Sequence, residues 1–320
     1  MYVLATNMNG SRNWKIYNPM LVNRGRPSTY IKPAIFNNKV DLLKINDGKI
    51  GHPYVYSEML IVVGFAIKSV FKIGYREAAG MIKDYAELAG SSCSPDFRTI
   101  QWRISRMESD GIKFMIYAKN KILDVVIDSS EVKSTNYGEY RRTKYDRIKM
   151  WEKIHIAVDR KTHKILNIIV TGNEIGDPRE FIPLLDPIEK ANIVRSATAD
   201  GVYDSEKNFK YCDDNNINSL IPVHINATGE SGRHRRKHVV EQLGVIRKRG
   251  WKYNRIPPKK TKRMIQEQWK NNSGYHGRSL VESAISVFKN AFGEYTFSKS
   301  KNMRGKELLL KAVVYNRFLT

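Results

Sequence analysis

Apolar positions follow two different patterns along the chain, one typical of helices and one typical of strands. Residues 54–117 repeat apolar side chains every three to four positions, which is the helical period. Ser57 and Glu58 are suited to a helix start, Asp96 precedes another run as a capping residue, and Gly90 closes a third. The pattern predicts helices over Tyr56–Phe71, Tyr75–Leu88 and Phe97–Met107.

Residues 120–223 change to β-branched runs and to strict alternation of apolar and polar side chains. This change predicts strands over Ile122–Ile127, Trp151–Asp159, Lys164–Thr171, Val194–Ala199 and Ser219–Val223. Helices are predicted over Pro178–Leu185, Ser205–Asp213, 277–292 and Glu307–Phe318. Three strands followed by helix, strand, helix and strand indicate an α/β domain with a mixed sheet flanked by helices.

The first 53 residues lack a clear period, and we expect an extended arm there. The tetrapeptide Arg24–Pro27 reads RGRP. Such a sequence can lie in a narrow minor groove, where arginines meet enhanced negative potential. A basic linker turn is the alternative interpretation.

Charge narrows the class of partner. The 320 residues carry 55 Lys and Arg against 32 Asp and Glu, a net charge of +23. Such an excess favours a polyanion, nucleic acid first and an anionic membrane second. The longest apolar run, Met59–Ile67, has nine residues, and a membrane span needs about 20. We expect no membrane partner and no secretory signal, and Cys93 and Cys212 as free thiols in a reducing cytosol.

Much of the excess charge falls in one segment. Between Arg233 and Lys270 there are 14 Lys and Arg and two acids, a net +12. We interpret residues 224–274 as a basic, partly flexible insertion that contacts phosphates; a solvated loop or spacer is the alternative. The candidate DNA contacts in it are Arg235, Arg236, Lys237, Arg247, Lys248 and Arg249. We assign His234 and His238 to the same basic face.

The helix predicted over Phe97–Met107 has the features of a recognition helix. Its apolar stripe leaves Arg98, Arg103 and Arg106 on the outer face. A capped short helix after a Gly/Ser turn suits a helix-turn-helix unit that binds DNA, over 54–117. A small helical bundle with a solvated basic face is the alternative.

Three carboxylates stand out by placement. Asp128 ends the first predicted strand, Asp200 follows a later one, and Glu282 lies on a helix beyond the insertion. Side chains at strand ends project into a crevice, and three carboxylates there can hold two divalent cations. Mg²⁺ prefers such oxygen ligands. Asp204 and Glu131 flank the site as auxiliary ligands or, alternatively, as solvated surface acids.

The surroundings of Glu282 read Tyr275-x2-Arg278-x3-Glu282-x6-Lys289. Helical geometry places the arginine, the glutamate and the lysine on one face. An amphipathic helix with solvated charges is the alternative.

This Tyr–Arg–Glu–Lys spacing resembles the signature of DDE transposases from the insertion sequence 4 and 5 families of bacteria and archaea. The segments around the acids are similar as well: Val126–Lys133 reads VIDSSEVK, Lys153–Asp159 reads KIHIAVD, and Ala199–Ser205 reads ADGVYDS. The resemblance covers roughly 54–320, with intervals of 72 and 82 residues between the acids. His155, on the second strand, is either a core histidine or a DNA contact.

The resemblance implies a ribonuclease H-like catalytic domain over 120–320, with Asp128, Asp200 and Glu282 as the metal-binding triad for Mg²⁺ or Mn²⁺. Arg278 and Lys289 would contact phosphates near the scissile bond, and Tyr275 the transferred end. Apart from the resemblance, the position of Lys133 lets it reach a phosphate near the first acid. Such enzymes cut at terminal inverted repeats and join the freed 3′-OH to target DNA, usually as dimers. We expect a prokaryotic, cytoplasmic and nucleoid-associated protein. A catalytically silent DNA-binding protein and a nuclease that does not join strands are the alternatives.

Overall fold

The structure, a computed structural model, describes residues 14–26, 31–37, 39–114, 116, 121–134, 151–172, 174–228, 232–247 and 253–319. Its helices are α1 Trp14–Gly25, α2 Lys39–Asn46, α3 Glu58–Phe71, α4 Tyr75–Leu88, α5 Phe97–Arg106, α6 Ser109–Phe114, α7 Asp177–Ala191, α8 Glu206–Asp214, α9 Arg233–Leu243, α10 Lys259–Ser273, α11 Ser279–Phe292 and α12 Lys301–Phe318. Its strands are β1 Ile122–Ser134, β2 Trp151–Asp159, β3 Ile165–Gly172, β4 Ile193–Thr198, β5 Asn218–Leu220, β6 Ile246–Arg247, β7 Tyr253–Arg255 and β8 Tyr295–Thr296.

The chain forms two compact units. The first contains residues 1–116, 133–150 and 288–320, and the second contains 117–132 and 151–287. The last helix, α12, therefore belongs to the first unit, whereas the sequence places it in a catalytic domain over 120–320. None of the helices in the described ranges is both long and apolar enough to cross a bilayer.

The first unit is helical, and its central helices follow the predicted boundaries closely. The hydroxyl of Ser57 accepts the Leu60 N–H at the start of α3. The carboxylate of Asp96 accepts two backbone N–H groups at the start of α5. Gly90 has a φ of +68° and lies just after the end of α4, where the sequence predicts a glycine that ends the helix. The apolar period and the capping residues together therefore predict the bounds of these helices.

The expectation of an extended arm over residues 1–53 is wrong for its described part. That part contains α1, a 3₁₀ turn over Pro33–Asn37, and α2. Helix α1 contains Pro19, and α2 buries no side chain. Neither helix has an apolar stripe along one side, which is the pattern that predicts a helix from sequence.

The second unit is built on a mixed sheet with the strand order β3-β2-β1-β4-β5, which confirms the predicted α/β class. Strands β2 and β3 are antiparallel, whereas β4 runs parallel to both β1 and β5. This arrangement is consistent with the expected ribonuclease H-like fold. In the first unit, β8 pairs in parallel with Lys133 and Ser134, the last residues of β1.

Alternation along β1 decides which side chains reach the core. Leu123, Val125 and Ile127 are each at most 3% exposed and join a cluster with apolar side chains of α7 and α8. Because side chains alternate along a strand, the neighbouring positions 124, 126 and 128 point to the other face. Asp128 is thereby kept out of this apolar layer.

The basic insertion is more ordered than predicted. Within residues 224–274 the structure places α9, α10 and the antiparallel pair of β6 with β7. Val239 and Leu243 of α9 are fully buried in the core of the second unit. His238 is 7% exposed and stacks on Phe209 at 4.2 Å between ring centroids, so its assignment to a basic face is wrong. The many cations of α9 conceal this inward stripe in the sequence.

A buried ion pair within α12 lies against the residues that follow β8 in the first unit. The Glu307 carboxylate lies 2.9 Å from the Lys311 ammonium, and each side chain is 1% exposed. Glu307 also accepts the backbone N–H groups of Phe297 and Ser298. Burial alone would raise the pKa of Glu307, but Lys311 and these hydrogen bonds outweigh it, so the pKa lies below its ordinary value.

This direction predicts a pH-dependent loss of stability in the Glu307→Gln variant. A carboxyl whose pKa is depressed in the folded state stabilises the fold above its unfolded pKa, about 4.3, and loses that contribution as the pH falls further. We expect the variant to lose about 3 kcal/mol at pH 7, since Lys311 stays buried without its partner.

Urea denaturation at pH 7, 5, 4 and 3 measures this effect. The difference between wild type and Glu307→Gln should shrink below pH 4. The exposed Glu294→Gln variant is the matched control and should change the free energy of unfolding by less than about 0.5 kcal/mol. A difference between wild type and Glu307→Gln that is the same at all four pH values would contradict the ion-pair explanation.

Candidate carboxylate site

Strand register brings two of the three predicted acids to the same level. The last residue pair between the parallel strands β1 and β4 is Val126 with Thr198. Asp128 and Asp200 each lie two residues beyond this pair on neighbouring segments. Strand β1 does not end at Asp128, as the sequence predicts, but continues to Ser134. The acid lies instead where β4 separates from β1.

Local hydrogen bonds orient both aspartates. Asp200 caps a 3₁₀ turn over Gly201–Tyr203, and its Oδ1 accepts the Gly201 N–H at 2.6 Å. Oδ1 of Asp128 accepts the Ser129 N–H at 2.9 Å. Each carboxylate therefore keeps its second oxygen for another partner.

The third acid is connected to the first by an arginine. Arg278 ends a 3₁₀ turn over Tyr275–Arg278, directly before α11. Its Nη1 lies 3.2 Å from Oδ2 of Asp128, and its Nη2 lies 2.6 Å from Oε1 of Glu282. One guanidinium thus bridges two carboxylates that are far apart in sequence. The helix predicted over 277–292 begins only at Ser279, so Arg278 precedes it.

The two halves of this bridge differ in their surroundings. The side chain of Glu282 is 55% exposed, so its pair with Arg278 contributes only about 0.5 kcal/mol. The side chain of Asp128 is 20% exposed. Burial raises the pKa of Asp128, and the negative charges of Asp200 and Glu282 raise it further; the Ser129 N–H and Arg278 act in the opposite direction.

Two glycines shape the turn that carries Arg278. Gly274 has a φ of +77°, a conformation that other residues adopt only with strain. The Arg160 guanidinium lies against Gly277, where a Cβ would come within 2.5 Å of its Cζ. Arg160 directly follows β2, so it connects the central sheet to this turn. The sequence signature includes the arginine and the glutamate but gives no sign of Arg160.

Tyr275 is mostly covered. It is 9% exposed, and its ring centroid lies 5.8 Å from that of Trp269. Burial is the main cause that raises its pKa to about 12. In this arrangement the ring supports the turn, and only a small part of it remains open to the expected DNA end.

The donor chemistry of the three acids suits a hard cation, because carboxylate oxygens are the ligands that Mg²⁺ prefers. Across the described residues, however, no group of three His, Cys, Asp or Glu side chains is arranged to hold a metal ion. The guanidinium of Arg278 lies between two of the acids instead. The residues therefore fit Mg²⁺ by donor type, while this arrangement has a protein cation between them.

Arg235 is predicted to face DNA, but its side chain is turned into the fold. Its Nε and Nη2 each lie 2.6 Å from an oxygen of Asp204, whose side chain is only 4% exposed. The interpretation of Asp204 as a solvated surface acid is also wrong. This pair ties α9 to the turn that follows Asp200, so Arg235 has a structural role that its basic neighbours conceal.

The other basic positions of the insertion divide by exposure. Lys262 is 5% exposed and donates from Nζ to the carbonyl groups of Ile225 and Ala227. Arg236 is half-buried, and Arg247 lies on β6. Lys248 and Arg249 fall outside the described residues. The exposed cations on α9 and α10 are Arg233, Lys237, Lys259, Lys260 and Arg263.

In the first unit, α5 carries an exposed ridge that the sequence reveals only in part. Arg98, Trp102 and Arg106 are spaced by four residues and are all exposed. The Arg106 guanidinium lies 4.0 Å from the Trp102 ring centroid. Trp102 is absent from the predicted contacts, although its spacing from two exposed arginines is a usable signal.

Arg103 does not belong to this ridge, and the prediction that it faces outward is wrong. It is 6% exposed, donates from Nη1 to the Tyr56 carbonyl at 2.9 Å, and lies 4.0 Å from the Tyr54 ring centroid. Its position follows from helical spacing, because it lies three residues from buried Ile100 and next to buried Ile104.

The remaining predicted contacts fall outside the carboxylate site. Lys133 is exposed and Lys289 is half-buried, and both belong to the first unit. His155 is fully buried, with Nε2 at 2.9 Å from the Thr171 hydroxyl, and burial lowers its pKa to about 4. Of its two interpretations, the core histidine is therefore the one that fits.

The mixed sheet thus presents two aspartates at one level, and Arg278 joins a glutamate to one of them. Two sequence models of the transposase DDE domain match the chain, over residues 119–317 and 13–137. The first match spans 199 of 320 residues. The chain belongs to the transposase DDE domain family, and the second match begins well before residue 54, where the sequence motifs place the start of the resemblance.

A solved structure is also similar in part. A piggyBac transposase synaptic complex with hairpin DNA, determined by cryo-EM, matches over 94% of this chain and 74% of that chain. The sequence identity is 11% and the TM-score is 0.39. Family membership implies an enzyme that cleaves DNA and transfers strands.

The Arg235–Asp204 pair leads to a stability prediction. In an Arg235→Met variant, Asp204 would keep the His224 N–H at 2.9 Å, and the buried carboxylate would lose the guanidinium that pairs with it. We expect a loss of about 3 kcal/mol in the free energy of unfolding, measured with urea at pH 7. Lys237→Met is the control, since that side chain is 69% exposed and should change stability by less than about 0.5 kcal/mol. Equal stability of the two variants would show that the buried pair has no structural role.

Proposed function

We propose that the protein is an active transposase of a prokaryotic insertion sequence. It would cut DNA at the terminal inverted repeats of its element and transfer the freed 3′-OH into target DNA. The observation that carries this proposal is the shared level of Asp128 and Asp200, with Glu282 joined to Asp128 through Arg278. Membership of the transposase DDE domain family supports it.

In this proposal Asp128, Asp200 and Glu282 would hold Mg²⁺, or Mn²⁺ in its place, through carboxylate oxygens. When bound, such cations polarise a phosphodiester and activate a water or a 3′-OH. The protein contributes the orientation of the donors. The Ser129 and Gly201 N–H groups each fix one oxygen of an aspartate, so that the other oxygen is directed toward the site.

We propose two DNA-binding surfaces. One consists of the exposed cations on α9 and α10, in the same unit as the acids. The other is the α5 ridge of the first unit, which suits a helix that reads DNA because it combines two arginines with an exposed aromatic ring. A homodimer that pairs two element ends is part of the proposal, as are contacts of Lys133, Lys289 and Tyr275 with DNA.

Single substitutions of the acids test the proposed catalytic role. We expect Asp128→Asn, Asp200→Asn and Glu282→Gln each to reduce Mg²⁺-dependent cleavage by about 10³-fold, since each removes a ligand charge worth several kcal/mol in the transition state. The substrate is duplex DNA that carries the inverted repeats flanking the reading frame. Asp214→Asn is the matched control, because Asp214 is an exposed acid of the same unit that is no candidate ligand.

The same assay separates the alternatives. Full cleavage by all three variants would contradict the triad assignment. Cleavage by the wild type without joining of pre-cut 3′-OH ends would indicate a nuclease that does not transfer strands. Binding without cleavage would indicate a catalytically silent protein.

Neutralising exposed cations of the insertion tests the first DNA surface. Four substitutions to Gln, at Lys237, Lys259, Lys260 and Arg263, should weaken DNA binding and reduce the slope of log K against log salt. The slope should fall by about 0.9 for each phosphate that the variant no longer neutralises. The control carries four substitutions to Gln at exposed lysines elsewhere in the second unit: Lys161, Lys190, Lys207 and Lys210.

Both variants lose four charges, so net charge alone would affect them equally. Affinities measured by fluorescence anisotropy over a series of salt concentrations distinguish the two cases. An unchanged slope in the first variant, or the same reduction in both, would show that the insertion is an ordinary solvated surface.

A further inference from the structure

The Arg278 guanidinium lies between two of the three acids that the proposed function assigns to the metal. Its Nη1 donates a hydrogen bond to Oδ2 of Asp128, and its Nη2 donates one to Oε1 of Glu282. A divalent cation shared by these carboxylates needs oxygens within about 2.0–2.1 Å of itself. Oδ2 of Asp128 and Oε1 of Glu282 are in contact with the guanidinium, so these two oxygens are not available to such an ion while Arg278 is bound.

We propose that Arg278 is an exchangeable counter-ion of the acid site, which leaves the carboxylates when a DNA phosphate binds it and so opens the site to a divalent cation. The inference rests on the proposed function, since it takes Asp128 and Glu282 as metal ligands. It adds that DNA binding and metal binding are coupled. Arg278 leaves the carboxylates to bind a DNA phosphate, and the carboxylates are then able to bind the metal.

Geometry makes the exchange feasible. The pair with Glu282 is half exposed and short-range in sequence, so it is weak. The contact with Asp128 is the longer of the two, at 3.2 Å. A guanidinium also matches phosphate with two parallel hydrogen bonds, as it matches a carboxylate. The arginine side chain is 24% exposed and therefore already accessible to a ligand from solvent.

The charges of the acids explain why a cation lies between them in the absence of DNA. Asp128 and Glu282 contact the two ends of one guanidinium, so two carboxylates lie close enough to repel each other when no cation is between them. Arg278 offsets part of this repulsion while the protein is free of DNA. The Arg160 side chain packs against Gly277, and Tyr275 of the same turn is buried, so the exchange does not call for a movement of the turn itself. Only the side chain of Arg278 has to move.

Metal binding by the full chain without DNA is the direct test. Free Mn²⁺ is measured by electron paramagnetic resonance during titration of the wild type, Arg278→Gln and Arg278→Lys. We expect Arg278→Gln to bind Mn²⁺ about 10-fold or more tightly than the wild type, and Arg278→Lys to be intermediate, since an ammonium cannot bridge both carboxylates in the same way. Circular dichroism confirms folding, and the lysine variant keeps a charge should the glutamine variant unfold.

The double variant Asp128→Asn with Arg278→Gln locates the ion. It should lose the gain in affinity if the ion binds between the acids. A duplex oligonucleotide gives the second readout, after correction for Mn²⁺ bound by the DNA alone. Duplex should tighten Mn²⁺ binding to the wild type by a larger factor than binding to Arg278→Gln, in which the site is already open.

The outcomes separate this inference from the proposed function. Equal Mn²⁺ affinity of wild type and Arg278→Gln, with loss of binding on Asp128→Asn, would overturn the counter-ion role and leave the metal ligands intact. Weaker binding in Arg278→Gln would overturn it as well. Mn²⁺ affinity that does not respond to Asp128→Asn in any background would overturn both the metal site and the exchange.

Discussion

The parallel pairing of β1 with β4 is the constraint on which the candidate site depends. Because the strands are parallel and paired as far as Val126 and Thr198, the residues two positions further arrive at the same level. The alternation that buries Leu123, Val125 and Ile127 also sends position 128 to the face away from α7 and α8. A slip of one residue in β1 would bury Asp128 in that apolar layer and expose Ile127. The apolar core of the sheet therefore fixes the position of a charged side chain.

The glutamate reaches the site by a different route. It does not belong to the sheet, and it depends on the turn over Tyr275–Arg278, in which Tyr275 is buried and Gly277 packs against Arg160. The side chain of Arg278 therefore connects strand β1, which carries Asp128, with helix α11, which carries Glu282. This division would let the site keep the aspartates in place while Arg278 changes partners in the proposed exchange.

Periodicity predicts the central elements well, and it fails where burial does not follow a simple period. The predicted bounds of helices α3, α4 and α5 lie within two residues of the observed ones, because each has an apolar stripe and α3 and α5 begin at a capping residue. Helices α1 and α2 escape prediction, since they have no such stripe. Helix α9 is concealed by its own cations, and only the structure shows Val239 and Leu243 in the core. The level of Asp128 and Asp200 depends on register, which local patterns do not contain.

The predictions for Arg103 and Arg235 are wrong for a common reason. Each is held by groups that lie far away in the sequence: the Tyr56 carbonyl is 47 residues from Arg103, and Asp204 is 31 residues from Arg235. A charged side chain without a local partner is reasonably taken as solvent-exposed, and a single sequence does not show the distant one. The net charge of the insertion consequently overstates its binding surface, because Arg235 and Lys262 act within the fold. Among the described residues of the insertion, the cations left for the proposed DNA surface are the exposed ones on α9 and α10, in the same unit as the acids.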